Sequence, residues 1–254
     1  MQITHRKTPS IFIQVVDLFL MEMTNWRWSW RSMLLTATLT PIFGLLSIGI
    51  FARDSGLQTL VYVFTGNIIL SLMFGNMGNV ESRFCFMRFG GGLDYYASLP
   101  VRRYALILAV VLSFLLLSIP SLIVTVAFGA FFLRVPVHPH PLLLAVVPLC
   151  AVPLSGVGAL VGTWARTPQE AGAINLILTM VMAGLGPVVI PPERLPRLFL
   201  WLGYLSPATY AASALRQTLI GPLSSRLALD LIALVVLSIL VFGLVGRLMA
   251  WRQN

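Results

Sequence analysis

The hydrophobic pattern divides the chain into one amphipathic stretch, six long apolar runs and two segments that fit neither description. Residues 9–31 are apolar on one side only. Phe12, Val16, Phe19, Met23, Trp26 and Trp30 recur at alternating steps of four and three, which puts them on one helical face. Gln14, Asp17, Thr24, Asn25, Arg27 and Arg31 fall largely on the other. Acidic residues interrupt the run, so the pattern predicts a helix along the membrane interface with its tryptophans at headgroup depth. The alternative is a short cytosolic helix packed on the rest of the protein. The six apolar runs cover residues 32–52, 57–80, 104–133, 142–164, 171–190 and 227–248. Each approaches or exceeds the roughly 20 residues that a helix needs to cross the hydrocarbon of a bilayer. Pro41 predicts a kink in the first, and the third, which contains Pro120, is long enough to tilt.

Of the two remaining segments, residues 84–103 read FCFMRFGGGLDYYASLPVRR, mixing basic and aromatic residues with three glycines and a proline between two apolar runs. Residues 191–222 are apolar but cut by prolines and glycines. Residues 195–205 and 208–220 each read as a short helix, with Ser206 and Pro207 as the break. Neither is long enough to span. Irregular backbone at membrane depth survives only where protein or water surrounds it, so an outer re-entrant or interfacial hairpin is expected, not a flexible loop.

Composition fits this pattern. The 254 residues are 58% hydrophobic and only 10% charged, against about 25% charged in a soluble domain. The expected fold is therefore an all-α polytopic membrane protein, with six transmembrane helices in a single transmembrane domain over residues 1–254. The net charge of +9 does not point to nucleic acid, because the basic residues flank apolar runs instead of forming one patch. With the N-terminus inside, Arg6, Lys7, Arg27, Arg31, Arg83, Arg88, Arg102, Arg103, Arg166, Arg247 and Arg252 fall on the inner side. Only Arg53, Arg134, Arg194, Arg197, Arg216 and Arg226 fall outside. This bias predicts a multi-pass protein of the plasma (inner) membrane with both termini and residues 84–103 in the cytoplasm.

Candidate chemistry is sparse. Lys7 is the only lysine, and no glycine-rich turn precedes it, so the phosphate-cradling loop of a nucleotide-binding site is not encoded. The interiors of the first five runs hold no Asp, Glu, Lys or Arg, and Asp230 near the outer end of the sixth is within reach of the interface. Proton- and sodium-driven carriers usually place such groups within the membrane. No histidine lies in a run, no aspartates are paired, and Ser155 has no visible base, which argues against an intramembrane hydrolase. Cys85 and Cys150 have no metal or redox spacing, and no cofactor is expected. Asn67, Asn76 and Asn79 of the second run and Asn175 of the fifth either bond across packed helices or line a pathway or dimer seam. A transporter with neither a nucleotide site nor an embedded acid must take its energy from a partner.

Two motifs carry a family resemblance. Residues 88–102, Arg88-Phe-Gly-Gly-Gly-Leu-Asp94-Tyr-Tyr-Ala-Ser-Leu-Pro100-Val-Arg102, resemble the cytosolic pattern of the permease subunits of type-2 ATP-binding-cassette (ABC) exporters: a basic residue, a Gly-Thr-Leu-Glu-like turn, an apolar pair and Pro-Val before the third span. Asp94 stands where that family usually has Glu, which keeps the charge. Tyr204-Leu-Ser-Pro207-Ala-Thr-Tyr210 through Leu215-Arg216 to Gly221 resembles the family's Pro-x-x-Tyr…Arg…Gly signature before the last span. The resemblance implies a homodimer, or a heterodimer with a sister permease, docked on two copies of a separate ABC ATPase subunit. It also implies export, and the mostly apolar runs, lacking charges to bind an ion, favour a lipid-like, amphipathic or drug-like substrate. The family's coupling helix would fall within residues 83–99. There Phe86, Phe89, Tyr95 and Tyr96 suit aromatic anchors, Arg88 and Asp94 would set register by charge, and Leu99 and Pro100 complete the segment. The triple glycine predicts a bent coupling element. The competing expectations are an interfacial loop whose aromatics rest on headgroups, and a membrane scaffold or sensor component that moves no substrate.

Overall fold

The computed structural model describes residues 10–26, 30–52 and 56–249. Arg6, Lys7, Arg27, Arg53 and Arg252, which enter the orientation argument, lie outside the described residues, as does the side chain of Trp30. The described chain is all helical, in the order α1 (Ile11–Asn25), α2 (Trp30–Ala52), α3 (Leu57–Leu72), α4 (Gly78–Phe89), α5 (Gly92–Ser98), α6 (Arg103–Leu133), α7 (Leu143–Trp164), α8 (Pro168–Gly184), α9 (Arg197–Gly203), α10 (Pro207–Leu219) and α11 (Ser225–Leu248). Among the described residues, four helical stretches are long and apolar enough to cross a membrane: Leu57–Phe89, Arg103–Leu133, Leu143–Trp164 and Ser225–Leu248. In α2 the apolar stretch is the shorter Ala37–Ile50.

Helix α3 passes through a π-turn at Met73–Met77 directly into α4, so the second apolar run continues as helix to Phe89 instead of stopping near residue 80. Glu81, Ser82 and Arg83 end the apolar pattern but not the helix. At 33 residues the combined helix is about 50 Å long, well over the ~30 Å of hydrocarbon, so its polar end has room to project. Helix α8 is shorter than its apolar run, with 17 residues ending at Gly184. Pro187, lacking an amide hydrogen, follows within three residues, and the chain stays irregular until the 3₁₀ turn Pro192–Arg194.

Proline inside α2 frees a carbonyl that another helix takes up. Pro41 cannot donate to Ala37, and the Ser121 hydroxyl of α6 donates to that carbonyl at 2.6 Å. Helices α4 and α7 meet through glycine: a Cβ on Gly158 or Gly162 would collide with the carbonyls of Met77 and Glu81.

The long helices converge at two ends. Near α5, Arg88 at the end of α4 donates to the Thr163 and Ala165 carbonyls at the end of α7, and Arg103 at the start of α6 reaches the Met249 carbonyl beyond α11. At the opposite end, the amides of His138 and His140 in the α6–α7 connection donate to the Leu219 and Thr218 carbonyls of α10. Each end has its own apolar core. Phe84, Met87, Tyr96, Leu106 and Phe114 belong to the first, and Phe64, Ile68, Leu154, Ala211 and Leu215 to the second.

Helix α1 packs on α6, and its apolar periodicity selects the buried face only in part: Trp26 is buried and Phe19 and Met23 half-buried, but Phe12 and Val16 are exposed. The buried positions are Gln14, Leu18, Glu22 and Trp26, at steps of four. Phe12 is 77% exposed, with Ile13, Val16 and Leu20 also exposed. Two polar residues sit on the buried face because each has a partner. The Gln14 side-chain oxygen accepts the Arg102 amide at 2.9 Å, at the start of α6, and the Glu22 carboxylate receives Arg83. The Trp26 ring meets Phe114 edge-on, with centroids 4.2 Å apart.

Candidate functional site

Two backbone features shape the segment that holds α5. Gly91 has a φ of 73°, a left-handed conformation that closes the turn after α4 and that other residues adopt only with strain. The triple glycine therefore splits residues 84–103 into the end of α4, the two-turn α5 and a connection to α6. Leu99 is extended, as the residue before Pro100 must be, and α6 starts three residues after the proline.

The eight residues proposed for coupling separate into two groups. Phe86 is 69% exposed and Tyr95 54%, and Phe89, Asp94 and Pro100 are also at the surface. Tyr96 is only 4% exposed: its ring packs edge-on against Tyr95 and its hydroxyl lies 3.9 Å from the Met21 sulfur of α1. Burial pushes the Tyr96 phenol up, and the nearby Glu22 charge pushes the same way, so Tyr96 stays neutral. Leu99 is half-buried. Arg88, proposed to set register by charge, is half-buried and caps α7, donating to the Thr163 carbonyl and, at 2.7 Å, to that of Ala165 while lying over the Phe89 ring. A guanidinium there meets the negative end of the α7 dipole.

Phe86 stands between two depressions. One, of about 410 Å³, runs between α4 and α8 past Glu81, Cys85, Phe89 and Gly172. The other, of about 200 Å³, is bounded by Trp26, Asn79 and Arg83. The second depression is braced by a pairing that the hydrophobic pattern does not reveal. Arg83 donates to Glu22 through Nη2 at 2.7 Å and Nε at 2.9 Å, and Trp26 donates to the same carboxylate at 3.4 Å. The available signal was Glu22 itself, an acid interrupting an apolar run.

The four asparagines serve different contacts. Asn67 donates to the Val63 carbonyl and lies against Gly44 of α2, where a Cβ would be 2.6 Å from its side-chain oxygen. Asn79 donates to the Gly75 carbonyl within the π-turn. Asn175 faces Gly78 of α4, while the Asn76 amide is fully buried with no hydrogen-bond partner among the described residues.

At the other end, α10 is buried against α3, α7 and α11, and α9 stays at the surface with Leu198 and Trp201 exposed. Pro207 occupies the first turn of α10, Tyr210 donates to the Tyr204 carbonyl at 2.8 Å across the turn, and the Gly221 amide donates to the Arg216 carbonyl where α10 ends. Arg216 lies 3.6 Å over the Tyr62 ring and donates to Thr65, Pro187 and Val188. It thereby satisfies the irregular carbonyls left where α8 stops short. Asp230 does not reach out to an interface as expected; it is buried and accepts from Ser213 at 2.6 Å and Gln217 at 3.1 Å.

The sequence profile of the ABC-2 type transporter family matches residues 14–220, from α1 through α10. The chain is 23% identical over 210 residues to the inner membrane transport permease YadH of Escherichia coli K12, covering 81% of this chain and 82% of that protein. It is equally similar, over the same shares, to the YadH proteins of Escherichia coli O157:H7 and Shigella flexneri. The chain thus belongs to the ABC-2 type transporter family, as a membrane-embedded permease subunit.

Proposed function

We propose that this permease exports a lipid-like, amphipathic or drug-like substrate, using ATP hydrolysed by a separate nucleotide-binding subunit that docks at α5. The observation that carries this reading is the exposed cluster Phe86, Phe89, Asp94 and Tyr95, placed where α4 ends and α6 begins. Aromatic side chains left in water at the junction of the two longest helices suit a partner's cleft. A push there is passed into α4 and α6 directly, into α7 through Arg88, and into α1 through the Glu22–Arg83 pair.

In this reading α2, α3–α4, α6, α7, α8 and α11 are the six spans, with 185–191 completing the α8 crossing. The α5 end and both termini face the cytoplasm and the α9–α10 hairpin closes the pathway on the outer side. The excess of Arg and Lys near the α5 end supports that orientation. The name of the Escherichia coli relative supports placement in the inner membrane. Two permease chains, identical or sister, would stand on two ATPase subunits. The test is movement of a fluorescent amphipath in vesicles holding only this protein and its ATPase. ATP-dependent movement is expected; a complex that assembles and hydrolyses ATP but moves no member of an amphipath panel would instead be a scaffold or sensor.

A further inference from the structure

A cavity of about 350 Å³ opens beside the hairpin, where α10 meets the starts of α3 and α11, and Tyr62, Thr209, Tyr210, Arg216, Arg226 and Asp230 line it. Its size lies within the ~300–1,000 Å³ range of small-molecule sites. We propose that it binds an anionic, phosphate-bearing headgroup, either of an outer-leaflet lipid or of the amphipath being exported.

Some of the polar groups in the cavity are already used. Its acid is: the Asp230 carboxylate is held by Ser213 and Gln217, and the Gln217 side-chain oxygen in turn accepts from the Ser224 hydroxyl at 2.7 Å. Its donors are not. The Thr209 hydroxyl, on a residue only 3% exposed, has no hydrogen-bond partner among the described residues. Arg226 is exposed and makes no ion pair among them, and Arg216 uses Nε and Nη2 but not Nη1. A cavity with spare donors, two guanidinium groups and one carboxylate already engaged calls for a ligand rich in acceptors and carrying negative charge. A buried hydroxyl left without a partner costs free energy until such a ligand arrives. The surroundings say where that ligand comes from. Trp201 and Leu205 are exposed on α9 and in the turn beside the cavity, and Tyr204 is both exposed and part of the wall, an arrangement suited to headgroup depth.

The placement of this cavity on the outer side rests on the orientation proposed above, whereas binding itself does not. The test is therefore a titration of the full-length chain in a neutral detergent with short-chain phosphatidic acid, against short-chain diacylglycerol as the uncharged control and inorganic phosphate as competitor. Saturable binding of phosphatidic acid is expected, absent for diacylglycerol. Affinity should fall about tenfold in Arg226→Ala and severalfold in Thr209→Val, and stay unchanged in Arg166→Ala at the opposite end. Competition by phosphate would show that a free anion suffices, and its failure would assign the site to a headgroup that carries tails. Absence of saturable binding, or equal affinity in wild type, Arg226→Ala and Thr209→Val, overturns the site and leaves the transport reading standing.

Discussion

Arg83 of α4 and Glu22 of α1 form an ion pair with a 2.7 Å contact, and Glu22 is all but closed off from solvent at 1% exposure. The pair fastens the amphipathic helix to the longest helix of the bundle, next to the surface proposed to receive the ATPase. Removing one partner of an enclosed pair leaves the other charge uncompensated, at a cost of about 3 kcal/mol. Arg83→Met should therefore lower stability by about that amount in chemical unfolding, whereas Glu22→Gln together with Arg83→Met should restore most of it. Equal losses in the single and double variants would show that the charge pairing contributes nothing.

The contact between Ser121 and Ala37 makes a sharper double-mutant test, because Pro41 supplies the reason for it. Ser121→Ala should cost about 1–2 kcal/mol, the penalty for leaving a buried carbonyl unpaired. In a Pro41→Ala background the helix can bond that carbonyl itself, and the same substitution should cost a few tenths of that. Identical costs in the two backgrounds would rule out the compensation.

Gly158 and Gly162 allow α7 to lie against the backbone of α4. Alanine at either position should cost about 2–3 kcal/mol by overpacking, since the obstructing atoms are main-chain carbonyls that cannot swing aside. Alanine at Gly172, where nothing lies within 4 Å of an added Cβ, should be tolerated. Thermal melts of the three variants check this, and similar melting for all three would mean that the α4–α7 contact yields easily.

The all-helical class, and the ends of α6, α7 and α11 to within two residues, were legible in the sequence, because long uncharged runs have one outcome in a bilayer. What was not legible follows from the same physics. Apolar periodicity is blind to polar side chains that gain partners on folding: Gln14 and Glu22 sit on the buried face of α1 because Arg102 and Arg83 meet them there, while Phe12 is exposed and so are the polar Asp17, Thr24 and Asn25. A charge ends an apolar run without ending a helix, so the extension through Glu81 and Arg83 to Phe89 was hidden. Of the residues proposed for coupling, Phe86, Phe89, Asp94 and Tyr95 are exposed, but no one-dimensional signal showed Tyr96 facing α1 or Arg88 capping α7.

The division between Tyr95 and Tyr96 makes the affinity of the cognate ATPase subunit for this permease in nanodiscs the most direct test of coupling at α5. Phe86→Ala with Tyr95→Ala removes two exposed aromatic anchors. The double variant should weaken ATPase binding by at least about 100-fold, at roughly 1.4 kcal/mol per tenfold, while its unfolding midpoint stays at the wild-type value. Tyr96→Ala should do the reverse in proportion, losing about 3 kcal/mol of stability through truncation of a buried ring. Wild-type ATPase affinity in the double variant would contradict the claim that energy enters this protein at α5.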